Sequence, residues 1–492
     1  MSELQTITNS PAIYDVIIVG AGPVGLATAI GLRQRGIKNI LVIDQTRAFR
    51  QVGQIVDLLP NGLQALKCID HHAYTAIIET AQKSFKIPNK PEVRNNSTST
   101  QPQPLIKPKW IYKNLHGQTT RSVNLDINYW LENFGEGRVG LLWFDLQTTL
   151  RNLLPQEIVK ANHRCINIVD QPELNCIRVD CLSNTKIETN PYAYWSENHS
   201  HEEKTSDLDN DLTEKSFHAK LIIGADGVNS TIRQVIYQNT PDQDFAKPAY
   251  SGFAGIYCQE VAKLPVDMKR ELEENFLDHN RVSTIFNQEE ALDNPNIKIE
   301  PILLLSHRPD DSFGYILHTC TPLETVKDKT GNDLINLALK KLQKAGFPEI
   351  LQKLVAASIP ENMLQRPFYI HHASMTKNST TIEPTWHQGR VVLVGDAAHG
   401  MPPFMAQGAN QGLEDAFVIV VLVDNIAKQN SWDNLPFINA EFEKYEKLRR
   451  PLMAYVQNAT LTRFTYLSDA ASHGYNQKMY TRNFQEIIAG LL

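Results

Sequence analysis

The chain has 492 residues, 42% hydrophobic and 21% charged, with a formal net charge of -6. That length exceeds one ordinary core and implies two or three domains or subdomains, and the mildly acidic balance argues against nucleic acid as the main partner. Six scattered cysteines without a C-x-x-C, a polar N-terminus and no apolar run long enough for a membrane span read as a cytoplasmic protein with reduced thiols, without a disulfide frame, metal site, secretory signal or membrane span.

In chain order, Tyr14 to Val19 is a short β-branched run with the character of a buried parallel strand. A glycine-rich turn follows. Leu26 to Arg35 has helical spacing and ends at Gly36, and Asn39 to Ile43 is a second buried strand, completing a βαβ unit. Asn61 to Cys68, Ala73 to Lys83 and Trp143 to Leu154 read as helices, and Cys165 to Leu182 alternates as a hairpin. Residues 88–108 and 183–216 are polar insertions, the second with the composition of a solvated hairpin tip or disordered loop. Leu221 to Ile223 is another buried strand. Gly252 to Glu260, Val282 to Asn287, Ile302 to Arg308 and Phe313 to Thr319 alternate as strands of a second, mostly antiparallel sheet. Asn332 to Gly346 and Glu349 to Ala357 are helical, Arg390 to Val394 is a strand, and Asn410 to Lys428 is expected to be the longest helix. The tail from Phe437 onward is largely helical.

Three motifs carry the chemistry. The first is GAGPVG, Gly20 to Gly25, between strand and helix. Gly20 allows the tight turn, Gly22 lets a pyrophosphate approach the backbone, and Gly25 lets the helix pack close to the strand. Asp44, at the end of the next strand, is placed to bind ribose hydroxyls. The cofactor-binding candidates here are Gly20, Gly22, Pro23, Val24, Gly25, Asp44 and its neighbour Gln45. The second motif is Gly224-Ala225-Asp226-Gly227, running on to Arg233. The third is Gly395-Asp396-Ala397-Ala398-His399, followed by Pro402-Pro403 and by Gln407-Gly408-Ala409-Asn410-Gln411-Gly412-Leu413-Glu414-Asp415-Ala416. An aspartate at a strand's carboxyl end faces the crevice where open α/β sheets bind ligands.

In this order and spacing the motifs resemble the class A flavoprotein monooxygenases, the para-hydroxybenzoate hydroxylase-like family, from about Tyr14 to Arg450, including a closing Tyr445-x-x-x-Arg449. The resemblance implies an α/β fold. A Rossmann-like FAD-binding domain is made of 12–87, 109–182, 217–240 and 380–435. An interleaved, mostly antiparallel substrate domain covers 241–379, and C-terminal helices cover 436–492. It implies FAD and NAD(P)H as cofactors, with O2 and a small organic molecule as substrates, hydroxylated or epoxidised through a flavin hydroperoxide. By the same resemblance Asp396 binds the ribityl chain, Asp226 serves FAD and nicotinamide, and Pro402 and Pro403 line the flavin. Gly395, Gly408, Ala409 and Asn410 complete the set. A helix N-terminus at Gly408 suits the negative charge of reduced flavin.

Two positions depart from the family. Trp143 stands where relatives often have arginine, leaving Gln147 as the polar contact, and Ala406 stands where they usually have glycine. Tyr257, Tyr315 and His318 on the second sheet are candidates to face substrate, although alternation leaves either face open. A second G-x-G-x-x-G is absent, which argues against two-dinucleotide disulfide reductases. The alternative reading is an FAD-dependent reductase or dehydrogenase of the same superfamily, acting on an isoprenoid or polyene. Oligomeric state is not legible.

Overall fold

The structure, a computed structural model, describes residues 12–46, 55–84, 108–184, 212–261, 263–287, 300–308, 310–377, 379–462 and 469–491. Most of both polar insertions lies outside these residues. Residues 183–184 and 212–216 belong to the antiparallel strands Cys176–Asn184 and Leu212–Gly224, which narrows the expected insertion; the rest of it lies outside the described residues.

Apolar, β-branched runs buried on both faces build the parallel centre of an eight-stranded sheet. Its parallel part orders Val391–Leu393, Leu212–Gly224, Ile13–Val19, Ile40–Ile43 and Val159–Lys160. The register decides the function. Val19 lies opposite both Ile43 and Gly224, and Gly224 opposite Leu393. The three motifs, far apart in sequence, therefore leave adjacent strands at the same carboxyl edge, and backbone bonds stitch them together: Gly20 N to Ile43 O at 2.8 Å, Ala225 N to Val19 O at 2.8 Å and Val394 N to Gly224 O at 2.9 Å.

Gly408–Lys428, 21 residues and almost wholly buried, packs on Pro23–Gln34 and Pro60–Ile69. It is not the longest helix. Leu435–Thr462 runs for 28 residues and carries Pro451 inside it, a residue whose missing N–H ordinarily marks a helix break.

The second sheet has seven strands, in the order Met363–Ile370, Ala249–Cys258, Phe313–Cys320, Ile302–His307, Val282–Ile285, Lys109–Lys113 and Thr119–Asn124. The last two correct the expected boundary, which placed 109–182 wholly with the FAD half. Lys109–Lys113 pairs parallel to Val282–Ile285, a long-range partnership that no local pattern reveals. Ala254, Ile256, Leu303, Leu305, Tyr315 and Leu317 point from one face into a core shared with Gly331–Lys344 and Glu349–Ala356. Among the described residues no helix is long and apolar enough to cross a membrane.

A Cβ built on Gly31 would lie 2.8 Å from a methyl of Val420 and 3.0 Å from one of Ile69. Gly31→Val is expected to push the buried helix away and to destabilise the protein by about 1–3 kcal/mol. The check is a denaturant melt, and an unchanged midpoint contradicts the packing described.

Candidate active site

The first glycine turn is shaped by near-collisions. Gly20 has φ +112°, and a Cβ there would sit 2.3 Å from Ala225 O; a Cβ on Gly25 would sit 2.0 Å from Gly20 O. At Gly22 nothing lies within 4 Å, so that side of the turn is open. Gly22 is the N-cap of Pro23–Gln34, with no side-chain cap and no acidic residue in the first turn, leaving its N–H groups for an anion. Asp44 takes Ala21 N (2.6 Å) on Oδ2 and Thr46 N (2.7 Å) on Oδ1. Gln147, buried, donates from Nε2 to Ala21 O at 2.6 Å. Both side chains hold the turn itself. Pro23 is buried at the helix start, Gln45 is exposed, and Val24 fits against the bare backbones of Gly395 and Gly412. Trp143 is half-buried at the start of its helix, Trp143–Asn152.

Asp226 caps the next helix, Thr231–Tyr237. Its Oδ2 accepts from Thr231 N (2.7 Å) and Ile232 N (3.2 Å), and burial raises its carboxyl above the ordinary carboxylate range. Arg233, fully buried, donates to Phe245 O, Ala397 O and Ala398 O, which clamps the second motif to the third. His371 places Nε2 2.8 Å from Val228 O, and burial lowers it to about 3, so it is neutral at ordinary pH.

The third motif turns at Gly395, φ +58°. Asp396 starts the short helix Asp396–His399 and is reached by solvent, while the walls of the crevice raise its carboxyl. Among the described residues no group donates a hydrogen bond to that carboxylate. A Cβ on Gly408 would lie 3.7 Å from Asp396 Oδ1, so the carboxylate faces the first residue of Gly408–Lys428. That helix has neither a side-chain cap nor an acid in its first turn, and the N–H groups of Gly408, Ala409 and Asn410 have no intrahelical partners. The side chain of Asn410 braces neighbouring backbone instead. Its Oδ1 accepts from Leu59 N, and its Nδ2 donates to Asp57 O and Ala406 O. Pro402 is buried, Pro403 exposed, and Ala406 closes the loop at φ +52°.

Behind this turn lies a buried ionic cluster. Asp415 Oδ2 accepts from Gly395 N at 2.8 Å and lies 2.5 Å from His399 Nε2, while Oδ1 accepts from Arg449 Nε at 2.7 Å. Burial by itself would raise the Asp415 carboxyl; His399 and Arg449 outweigh it and hold it at about 2. Arg449 also meets Glu414 and Gln411, and Glu414 meets Asn61 and Arg482. The sequence motif contains Asp415, but its partner Arg449 is one turn of a different helix, and only the Tyr445-x-x-x-Arg449 pattern hinted at it.

On the second sheet, Phe404 of the proline loop meets the rings of Phe253 (5.3 Å), His318 (5.0 Å) and Phe368 (5.5 Å). His318 and Tyr257 share this face, since Gly255 is the register partner of His318 and alternates with Phe253 and Tyr257. Burial pushes the Tyr257 phenol up to about 12, with Arg366 opposing. Tyr315 corrects the expectation. Its register partner is Cys258, so it points to the opposite face, into the second core, with its hydroxyl 2.8 Å from Ser358 Oγ.

The chain matches the family described as FAD binding domain over residues 13–54 and 340–430. It is 23% identical over 450 residues to an FAD-dependent monooxygenase of Gibberella moniliformis, covering 89% of this chain and 83% of that one. Over most of its length the chain is thus similar to FAD-dependent monooxygenases. Other curated relatives match over shorter stretches, and this chain covers 20% of one from Penicillium crustosum and 31% of another from an Oncidium hybrid. Solved structures share the fold. A salicylate hydroxylase substrate complex aligns with TM-score 0.63 at 16% identity over 98% of both chains. Klebsiella pneumoniae HpxO with FAD and uric acid aligns with TM-score 0.56 at 18% identity, over 97% of this chain and 95% of that one.

Asp415→Asn leaves Arg449 short of one buried carboxylate and is expected to cost about 3–5 kcal/mol and to reduce bound flavin. Because the Asp415 carboxyl is held at about 2, below its unfolded value of about 3.9, its contribution is complete above pH ~4 and fades as pH falls toward 2. The stability gap between wild type and variant, read from denaturant melts, should therefore shrink over that window; a gap that widens contradicts the assignment. Ala406→Gly relieves a left-handed alanine worth on the order of 1 kcal/mol and should raise or preserve the unfolding midpoint. A lower midpoint contradicts strain at Ala406.

Proposed function

We propose that FAD binds with its pyrophosphate on Gly20, Gly22, Pro23, Val24 and Gly25, its ribose toward Asp44 and Gln45, and Gln147 steadying the turn. Its ribityl chain meets Gly395 and Asp396, and its ring lies by Pro402 and Pro403 at the N-terminus formed by Gly408, Ala409 and Asn410. Asp226 borders the same edge and serves FAD and the nicotinamide. NAD(P)H is the reductant, and a small organic molecule lies against the face bearing Tyr257 and His318. One observation carries the reading: an open glycine turn, a solvent-reached Asp396 and an uncapped helix start share one crevice. The donor set fits the cofactor. Two helix N-termini suit the diphosphate and the anionic reduced ring, and Asp396 suits a polyol.

FAD, when bound, supplies the redox chemistry: with NAD(P)H, a proton and O2, one oxygen atom enters the substrate, the other leaves as water, and NAD(P)+ is released. The protein supplies placement and dryness. Phe253, Phe368, His318 and Phe404 pack as an aromatic wall beside the proline loop, apolar surface that would help to keep water from a ring bound there. The unpaired N–H groups at the start of Gly408–Lys428 would stabilise negative charge on a flavin held there. The zeaxanthin epoxidase and salicylate hydroxylase among the similar proteins support both epoxidation and hydroxylation as outcomes.

Asp396→Ala removes the charged acceptor of the ribityl hydroxyls and is expected to weaken FAD binding by on the order of 1.5–3 kcal/mol. Flavin absorbance after purification and dialysis reads it directly. A variant that keeps wild-type flavin content places the ribityl chain elsewhere.

A further inference from the structure

We propose that a cavity among the C-terminal helices binds a small amphiphilic anion, a carboxylate on a short hydrocarbon body. The site stands apart from the flavin crevice and does not depend on how FAD is held there.

The cavity measures about 290 Å³. Small-molecule sites span roughly 300–1,000 Å³, so this one suits a ligand at the small end. Four helices contribute to its wall: Gly408–Lys428, Leu435–Thr462, Asp469–Tyr480 and Phe484–Leu491; Arg482, between the last two, completes it. Val418 on that wall stands about 15 Å along its helix from Gly408, since each residue adds about 1.5 Å, so the cavity is removed from the helix start that faces Asp396.

Much of the wall is hydrocarbon. Leu448 and Leu452 lie one turn apart on the long helix and share the cavity with Phe484 and Ile487 of the last helix. Leu448, Leu452 and Ile487 pack at the margin of the larger core and are only half-buried, which leaves apolar surface for a ligand to cover.

Charge on the wall is one-sided. Arg449, Lys478 and Arg482 stand against a single carboxylate, Glu414. Protein groups already pair that carboxylate: Oε1 accepts from Asn61, and Oε2 meets Arg449 and Arg482. Burial by itself would raise the Glu414 carboxyl; Arg482 and Arg449 outweigh it and keep it ionised. Arg449 is engaged in turn by Glu414, Asp415 and Gln411. The other two cations have donors left over. Among the described residues no carboxylate pairs with Lys478, whose ammonium lies 3.8 Å from the centroid of the Tyr455 ring. Arg482 gives Nη2 to Glu414, its remaining nitrogens meet no acceptor among the described residues, and its side chain stays 21% exposed.

Two such cations beside bare hydrocarbon are the complement of a carboxylate with an apolar tail. The head takes charge-assisted hydrogen bonds and the tail is buried against the leucines. A neutral chain would strip water from the donors without replacing it, and a cation would be repelled. Glu414 and Arg449 also back the Gly395 turn through Asp415, so the ligand touches the frame of the flavin crevice and not the crevice itself.

The test is isothermal titration of the FAD-loaded protein with octanoate, acetate, octanol and octylammonium, with flavin absorbance followed in parallel. Octanoate should bind at one site per chain, at least about tenfold more tightly than acetate, which lacks the hydrocarbon. It should exceed octanol by a similar factor, about tenfold, because octanol lacks the charge, and octylammonium should not bind. Leu452→Trp fills the cavity and should weaken octanoate about tenfold or more. Lys478→Gln, at an exposed position that leaves the core untouched, should weaken it about threefold or more, and Lys478→Arg should restore it. No octanoate binding, acetate or octanol binding as tightly, or an affinity indifferent to both Leu452→Trp and Lys478→Gln overturns the proposal. Octanoate that perturbs the flavin spectrum and ignores both substitutions lies in the crevice instead and overturns it equally.

Discussion

One carboxylate holds the site together. Asp415, buried in the middle of the protein, contacts the backbone of Gly395, the ring of His399 and the guanidinium of Arg449. Those three groups belong to the turn after the strand Val391–Leu393, the short helix that starts at Asp396, and the long helix Leu435–Thr462. A charge in such surroundings is tolerable only when it is paired and hydrogen-bonded, and here His399, Arg449 and a backbone N–H supply both. Glu414, one residue earlier, repeats the pattern with Arg449, Arg482 and Asn61. The position of Asp396 is thus set from behind by charge pairing rather than by its own contacts, which leaves its carboxylate open to the crevice.

Backbone geometry does the rest. The register of three parallel strands delivers three motifs to one carboxyl edge, and the absence of side chains at Gly20, Gly25 and Gly412 lets the segments approach to distances no Cβ would permit. Two helices then begin in the same crevice, each without a side-chain cap. Helix N-termini left uncapped are costly unless an anion or water takes their N–H groups. A flavin dinucleotide has an anionic diphosphate for one and, once reduced, an anionic ring for the other. The proline loop meets the second sheet at Phe404, whose ring touches Phe253, His318 and Phe368.

Much of this is legible in the sequence, because its signals are local. A β-branched run, a glycine turn and a helical period sit next to each other at Tyr14 to Arg35, and the Asp226 and Asp396 motifs each follow a buried strand in the same way. What escapes is long-range. Lys109–Lys113 belongs to the second sheet through a parallel partner at Val282–Ile285, and nothing near residue 109 encodes that pairing. The side chain of Tyr315 differs from that of His318 only in phase, and phase is set by which residue faces Cys258 and which faces Gly255. The motif points to Asn410 for its backbone; its amide also clamps Asp57, Leu59 and Ala406, the first two some 350 positions away. Pro451 hides the continuity of the longest helix, whose packing outweighs one missing hydrogen bond.

The central claim is oxygen insertion by bound FAD. Its most direct measurement is single-turnover reaction of the flavin-loaded enzyme with NAD(P)H, a panel of aromatic and olefinic substrates, and 18O-labelled O2, with mass spectrometry of the product. The account predicts one labelled oxygen atom in the product and no product when O2 is withheld. Product that forms at the same rate anaerobically, or that carries oxygen only from water, would contradict it and point to a reductase or dehydrogenase on the same scaffold.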